Sequence, residues 1–167
     1  MEADTINSDW KKPFFAFWIS QAISLFGSTL VQFALVWWLT KTTGSASILA
    51  TATAIAILPE IVVSPFAGAI VDRTNRKTVM MISDSLIAIA TIILAVMFYF
   101  GIVQIWHIYV LMFIRAIGGA FHFPAEQASV SLMVPGEQLS RIAGLNQALR
   151  GGVNIIAPPL GALLLEW

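Results

Sequence analysis

Three charged side chains lie in the middle of long apolar stretches, where a charge is energetically costly: Glu60, Arg115 and Arg150. A charged residue at the centre of a bilayer costs about 2.5–3.5 kcal/mol on insertion scales. One carboxylate and two guanidiniums at similar depth can neutralise one another as a structural ion pair. They can also bind a solute or carry a proton, which is what ionisable residues at this depth most often do. Both interpretations stay open at this point.

Two further titratable residues share the apolar stretch of Arg115. The polar and small residues of that stretch follow one another at intervals of three and four, which places them on one helix face: Arg115, Gly119, His122, Glu126 and Ser129. His122 stands between Phe121 and Phe123, so a packing role is as consistent with its position as proton transfer. Glu126 lies nearer the cytoplasmic end, where water reaches a carboxylate at low cost.

Other apolar stretches also carry polar faces. The first has Gln21, Ser24, Ser28 and Gln32 within one sector of a helix. The second groups Glu60 with Thr53, Ser64 and Gly68, and the fifth has Asn146, Gln147, Arg150, Asn154 and Gly161. The third carries only Asp84 and its neighbours Ser83 and Ser85. Four polar faces predict a helix bundle around an aqueous cavity, with the third helix facing lipid, as in a transporter.

The elements that position these side chains are predicted from the apolar runs. Of the 167 residues, 58% are hydrophobic and only 11% are charged, whereas a soluble domain is about 25% charged. A span of about 20 apolar residues crosses a bilayer. We therefore predict an all-α membrane protein with a tail at residues 1–13 and spans at 14–39, 48–71, 79–100, 106–134 and 139–165. The short connectors make neighbouring helices antiparallel.

The distribution of cations predicts the orientation of the bundle. One side carries six cations, Lys11, Lys12, Arg73, Arg76, Lys77 and Arg141, and the other carries Lys41 alone. Cytoplasmic loops are rich in Lys and Arg, so the N-terminus is predicted to be cytoplasmic. Nine basic and nine acidic residues balance, which argues against nucleic acid as a partner. The sequence has no cysteine and no spacing typical of a metal, cofactor or catalytic site, so we expect neither a cofactor nor an enzyme.

Three motifs carry a family resemblance. The loop after the second span resembles the conserved loop motif of the major facilitator superfamily: Gly68-x-x-x-Asp72-Arg73-x-x-Arg76-Lys77. The fourth span resembles the second motif of that family, with Gly118 where Gln is more usual: Leu111-x-x-x-Arg115-x-x-Gly118-Gly119. The fifth carries a degenerate form of the antiporter element: Ala157-Pro158-x-x-Gly161-Ala162. Shorter stretches, among them Phe17-Trp18-x-x-Gln21-x-x-Ser24 and Phe121-His122-x-Pro124-Ala125, resemble the macrolide-efflux branch of the superfamily.

The resemblance implies a twelve-helix transporter whose two halves rock around a central cavity, exporting amphiphilic, macrolide-like drugs by proton antiport. It assigns Gly68, Asp72, Arg73, Arg76 and Lys77 to a cytoplasmic gate and Arg115 to proton coupling. This chain would hold the first five helices, and its partners would be the lipid bilayer, a small amphiphilic solute, protons and further helices from the same or a second chain. Export of another solute, such as a siderophore or lysolipid, and a truncated fragment without transport activity remain alternatives.

Overall fold

The computed structural model describes residues 10–165, and the regular structure in that range is entirely helical. Five long helices follow one another: α1 (Lys11–Thr43), α2 (Ala46–Asp72), α3 (Arg76–Tyr99), α4 (Ile105–Met133) and α5 (Leu139–Leu165). A short 3-10 helix, Gly136–Gln138, precedes α5. The all-α prediction is confirmed. Helix α1 begins at Lys11, within the stretch 1–13 that was predicted as a tail, and residues 1–9 of that stretch lie outside the described residues.

Four of the described helices, α1 to α4, are long and apolar enough to cross a membrane. The fifth, α5, has 27 residues but is less apolar than the other four. Its polar residues, among them Arg141, Asn146, Gln147 and Arg150, account for the difference. The fifth span therefore stays a prediction, whereas the length and apolar character of the first four agree with the sequence.

Tight connections make sequential helices reverse direction. Gly44, in the connection between α1 and α2, has a φ of 59°, a left-handed conformation that glycine adopts without a Cβ clash. Ser45 then caps α2 by accepting a hydrogen bond from the backbone N–H of Ile48. Asn75 caps α3 in the same way through the N–H groups of Lys77 and Thr78. These caps explain why the helices begin where they do.

The chain divides into two compact units. The first comprises residues up to Ala34 and residues from Val130 onward, so it joins most of α1 to α5. Its core is formed by Phe14, Val130, Val134 and Ile142, with partly buried aromatic residues such as Trp18 packed against it. This cluster lies at the end of the unit where α1 and α5 begin.

The second unit, Leu35–Ser129, contains the end of α1, α2, α3 and most of α4. The hydroxyl of Tyr109 on α4 donates to the carbonyl of Ile48 on α2 at 3.0 Å. Trp38 meets Phe98 of α3 edge-on, with 5.4 Å between ring centroids. One face of α3 is apolar and exposed, with Met81, Ile82, Leu86, Ile89 and Ile92. Such a face is what a helix in contact with lipid presents.

Candidate functional site

Two charged groups of α4 lie against α3 in the second unit. The buried guanidinium of Arg115 donates from Nη1 to the hydroxyl of Thr91. Nε2 of His122 is enclosed and lies 3.2 Å from Oδ1 of Asp84, although no aligned hydrogen bond to Nε2 is found within residues 10–165. Arg115 and His122 are two turns apart on α4, and Thr91 and Asp84 are two turns apart on α3. The two contacts are therefore two turns apart along the helices, as expected for helices α3 and α4 that run antiparallel.

Smaller residues add two contacts to this series between the same helices. The hydroxyl of Ser129 lies 3.5 Å from Sδ of Met80, one step toward the C-terminal end of α4. Between Arg115 and His122, a Cβ placed on Gly118 would lie 2.8 Å from Cγ1 of Ile87. That distance is below normal contact, so glycine at 118 lets α4 approach α3 closely. We call the contacts of Arg115, His122, Gly118 and Ser129 with α3 the α3–α4 ladder.

The ladder defines the surroundings of the polar face of α4 in the second unit. Arg115, His122 and Ser129 were predicted to face an aqueous cavity; their side chains contact α3, and the cavity-lining role stays a prediction. The third helix was expected to face lipid, and its second, polar face was overlooked. The sequence interpretation missed Thr91, and it named Asp84 without connecting it to His122. The seven-residue interval from Asp84 to Thr91, equal to the interval from Arg115 to His122, is the signal that could have found both contacts.

The remaining charged candidates are distributed differently from the prediction. Glu60 on α2 is exposed, and within the described range it is not a partner of Arg115, so the predicted neutralisation of these two charges is not seen. Glu126 is partly buried one turn beyond His122. Arg150 is partly buried on α5, in the first unit.

The predicted gate lies in the connection between α2 and α3. Asp72 ends α2 and Arg73 follows it as the C-cap, while Lys77 stands in the first turn of α3; all three are exposed. Arg76 is partly buried, and its Nε has no hydrogen-bond partner in the described part of the chain. Asp84, in the third turn of α3 from this connection, lies against His122.

The surroundings of Gly68, the first residue of the gate motif, are open among the described residues. A Cβ added at this position would have no atom within 4 Å among the described residues, so no neighbouring helix approaches there. The same holds at Gly151 and Gly152 on α5, whereas Gly161 is a point of close contact. The close approaches are therefore at Gly118 and Gly161.

A seam joins α1 to α5 in the first unit. Nε1 of Trp18 donates to Oδ1 of Asn146 at 2.7 Å, and a Cβ on Gly161 would lie 2.7 Å from Cδ1 of Phe33. The same number of residues separates Trp18 from Phe33 and Asn146 from Gly161. The two helices therefore run parallel and in register, as the predicted topology requires. Asn146, expected to line a cavity, is instead part of this seam.

The register fixes which residues flank the seam. Each residue advances a right-handed helix by about 100°. On α1 the polar residues lie on one side of the seam direction: Gln21, Ser24, Ser28 and Gln32. On α5, Gln147 and Asn154 lie on the other side of it, whereas Arg150 lies close to the seam direction itself, between Asn146 and Gly161. Because the two parallel helices face each other, both groups are on the same side of the pair. We call these six residues, Gln21, Ser24, Ser28, Gln32, Gln147 and Asn154, the polar wall.

The opposite side of the α1–α5 pair is apolar. Ile19 and Ile23 on α1 lie there, and Ile23 is 69% exposed. Ile156 and Leu163 on α5 lie there as well, with Ile156 54% exposed. A two-helix unit with one polar and one apolar side is suited to separate an aqueous space from lipid. The cavity-lining prediction for α1 and for Asn154 therefore remains a prediction with a defined geometry.

Long apolar helices with enclosed ionisable groups and a polar wall define a multi-pass membrane transport protein. The family model of the Major Facilitator Superfamily matches residues 17–167. The chain therefore belongs to the major facilitator superfamily and is a multi-pass protein of the cell membrane. No solved structure matches the chain at a significant level.

Two of the relatives are named for macrolide efflux. Over 157 residues the chain is 40% identical to "Macrolide efflux protein A" of Streptococcus pyogenes, covering 94% of this chain and 39% of that protein. It is 39% identical over 121 residues to "Macrolide efflux protein A" of Enterococcus faecalis, and the alignment covers 72% of this chain and 37% of that protein. It is 29% identical over 158 residues to an uncharacterised transporter of this superfamily, YkuC of Bacillus subtilis. That alignment covers 95% of this chain and 36% of that protein. The chain thus spans about two fifths of the length of these relatives.

The two sides of the α1–α5 pair can be distinguished by cysteine labelling, because the sequence contains no cysteine. We expect Ser24→Cys and Asn154→Cys to react with a membrane-impermeant maleimide at least ~10-fold faster than Ile23→Cys and Ile156→Cys. The reason is that a thiol must ionise to react, and apolar surroundings oppose ionisation. Labelling rates in membrane vesicles measure the difference. Equal rates on the two sides would contradict the assignment of the polar wall.

Proposed function

We propose that the whole protein exports amphiphilic, macrolide-like solutes from the cell by proton antiport, with its halves alternating between inward-open and outward-open states. The observation that carries this proposal is the 40% identity with a protein named for macrolide efflux over nearly the full length of this chain. Membership of the major facilitator superfamily supports transport as the general activity.

The polar wall supports a solute path through this part of the protein. It offers amide and hydroxyl groups over about 16 Å from Gln21 to Gln32, at 1.5 Å per residue. Its apolar counterpart, including Ile23 and Ile156, would face lipid. An amphiphilic solute needs both kinds of surface, polar groups for its oxygens and an apolar neighbourhood for its carbon skeleton.

Proton coupling would use titratable groups that are shielded from bulk water. His122 and Asp84 are candidates because their reactive atoms lie 3.2 Å apart and the imidazole nitrogen is enclosed. Glu126, one turn further along α4, is a third. Arg115 would act as a fixed positive charge beside them on the same helix. The exposed gate residues Asp72, Arg73 and Lys77 would contact the rest of the transporter in one of its two states.

Drug accumulation in cells tests the proposal. Cells expressing the full-length reading frame should accumulate less radiolabelled macrolide than cells with an empty vector. A protonophore should raise accumulation to the empty-vector level, because it removes the proton gradient. Efflux that persists without the gradient would overturn proton antiport. A wild-type protein that leaves macrolide accumulation unchanged but lowers that of a siderophore or lysolipid would overturn the macrolide assignment.

A further inference from the structure

We propose that His107 binds a proton at the end of α4 that is predicted to face outward, and that proton binding releases the first turn of this helix and lowers export. The site is separate from the α3–α4 ladder and from the polar wall. The proton-binding part goes beyond the proposed function, since it can be measured without transport, whereas the effect on export rests on that function.

The connection between α3 and α4 begins with a turn made by backbone groups. The N–H of Gly101 donates to the carbonyl of Phe98. The N–H of Ile102 donates to the carbonyl of Met97, and Gly101 has a φ of 67°. These two bonds form a Schellman motif, which ends α3 without the help of a side chain. This end of the connection therefore contains no group that titrates.

The start of α4, in contrast, depends on an imidazole. The carbonyl of Gln104 accepts the first helical bond, from the N–H of His107 at 3.0 Å. In return, the N–H of Gln104 donates to Nδ1 of His107 at 3.1 Å. A glutamate or glutamine at this third helical position is the usual acceptor of such a bond. The side-chain oxygen of Gln104 accepts from Nε1 of Trp106 at 2.7 Å. His107 is therefore the one side-chain cap of α4 among the described residues.

Protonation of His107 removes this cap. Nδ1 accepts a hydrogen bond only while its lone pair is free, and both ring nitrogens of an imidazolium are donors. The positive charge would also lie in the first turn of a helix, where the helix dipole disfavours a cation. The ring of Trp106 lies 3.7 Å from that of His107 between centroids, so a cation–π attraction can hold an imidazolium that has left the cap. Imidazole is the side chain that most readily changes charge between about pH 5 and pH 8.

Few charges surround His107 at this end of the second unit. Residues 35–50 and 95–109 contain no aspartate or glutamate, and their other titratable groups are Lys41 and the phenols of Tyr99 and Tyr109. Nζ of Lys41 lies over the ring of Trp37, 5.4 Å from its centroid. The remaining titratable residues of α2, α3 and α4 lie deeper in the helices or at their other ends: Glu60, Asp72, Arg76, Lys77, Asp84, Arg115, His122 and Glu126. No carboxylate at this end therefore offsets the charge of an imidazolium.

The released turn adjoins the contact between α4 and α2. The hydroxyl of Tyr109, two residues after His107, donates to the carbonyl of Ile48 on α2. Ile108, between these two residues, is fully buried. Loosening of the turn that begins at Gln104 would weaken this attachment of α4 to α2. Because α4 also carries the residues of the ladder, acid outside the cell is expected to lower export.

Hydrogen exchange in the full-length protein tests the proton site. His107→Gln keeps an acceptor that does not titrate, and His107→Ala removes the cap at every pH. At about pH 7.5 the amides of residues 104–110 should exchange about fivefold faster in His107→Ala than in the other two proteins, because a hydrogen bond is lost. At about pH 5.5 the wild type should exchange as fast as His107→Ala, whereas His107→Gln stays slower. His122 is unchanged in all three proteins, so its titration cannot cause the difference.

Export rates measure the consequence for transport. As the pH outside is lowered over the same range, export by His107→Gln should rise about threefold relative to the wild type, since both proteins experience the same proton gradient. A wild type that exchanges like His107→Gln at both pH values would overturn the proton site. A constant ratio of export rates would overturn the effect on export. If the wild type exports no macrolide, the proposed function fails, and the exchange rates still decide whether proton binding at His107 releases the turn.

Discussion

Leucine in place of Gly118 is expected to lower the free energy of unfolding by about 1–3 kcal/mol, the usual cost of overpacking. A Cβ alone would lie 2.8 Å from Cγ1 of Ile87 and 3.4 Å from the backbone oxygen of Ser83. The larger side chain would have to separate α4 from α3. That separation would also lengthen the distances from His122 to Asp84 and from Arg115 to Thr91. Thermal unfolding of the protein in detergent measures the loss.

Gly119 provides a matched control for this substitution. A Cβ at Gly119 has no atom within 4 Å among the described residues, so Gly119→Leu should be neutral or stabilising through its better helix propensity. Ile87→Ala should restore part of the stability lost in Gly118→Leu, because it removes the atoms in the way. Equal losses at both glycines, with no rescue, would show that close packing of α4 on α3 is not the cause.

Neutralising Arg115 is expected to have the largest effect on transport. With Arg115→Leu in the full-length protein we expect efflux to fall at least ~10-fold, while membrane insertion is retained, because intramembrane charges mark transport pathways. Thr91→Val removes the hydroxyl that accepts from the guanidinium. An unsatisfied buried donor costs about 1–3 kcal/mol, so this variant should lose stability and only part of its efflux.

Two further variants separate charge from packing. Arg115→Lys keeps the positive charge and should retain more efflux than Arg115→Leu. Arg141→Leu removes an exposed cation outside the α3–α4 ladder and should transport normally. Efflux rates normalised to the amount of protein in the membrane compare the four variants. Full efflux in Arg115→Leu would restrict Arg115 to a structural role.

The sequence predicted helix positions closely because apolar run length and turn residues are local properties. The starts of α2 and α3 depend on Ser45 and Asn75, whose caps are visible as side-chain types at loop positions. The spacing of Arg115, His122 and Ser129 correctly predicted that they share one face of α4. It could not predict that this face contacts α3, because periodicity defines a face without defining its neighbour.

Asn146 illustrates the same limit on α5. Its spacing relative to Arg150 and Asn154 placed it on one polar face, and a cavity-lining role followed from that pattern. The structure uses it to accept a hydrogen bond from Trp18, so it belongs to the helix contact. A rotation of one helix by less than a quarter turn separates these two roles. Only packing against α1 determines that rotation, and packing depends on residues far away in the sequence.

The two ends of the α1–α5 seam restrict how this part of the protein can move. Trp18 and Asn146 are joined near the beginning of the two helices, and Phe33 and Gly161 are in close contact toward the other end. Sliding one helix along the other would break both contacts, and splaying them would break at least one. Helices α1 and α5 are therefore expected to tilt together as one rigid body. A transport cycle would then turn the polar wall toward one side of the membrane and then the other, leaving the spacing between its donors unchanged.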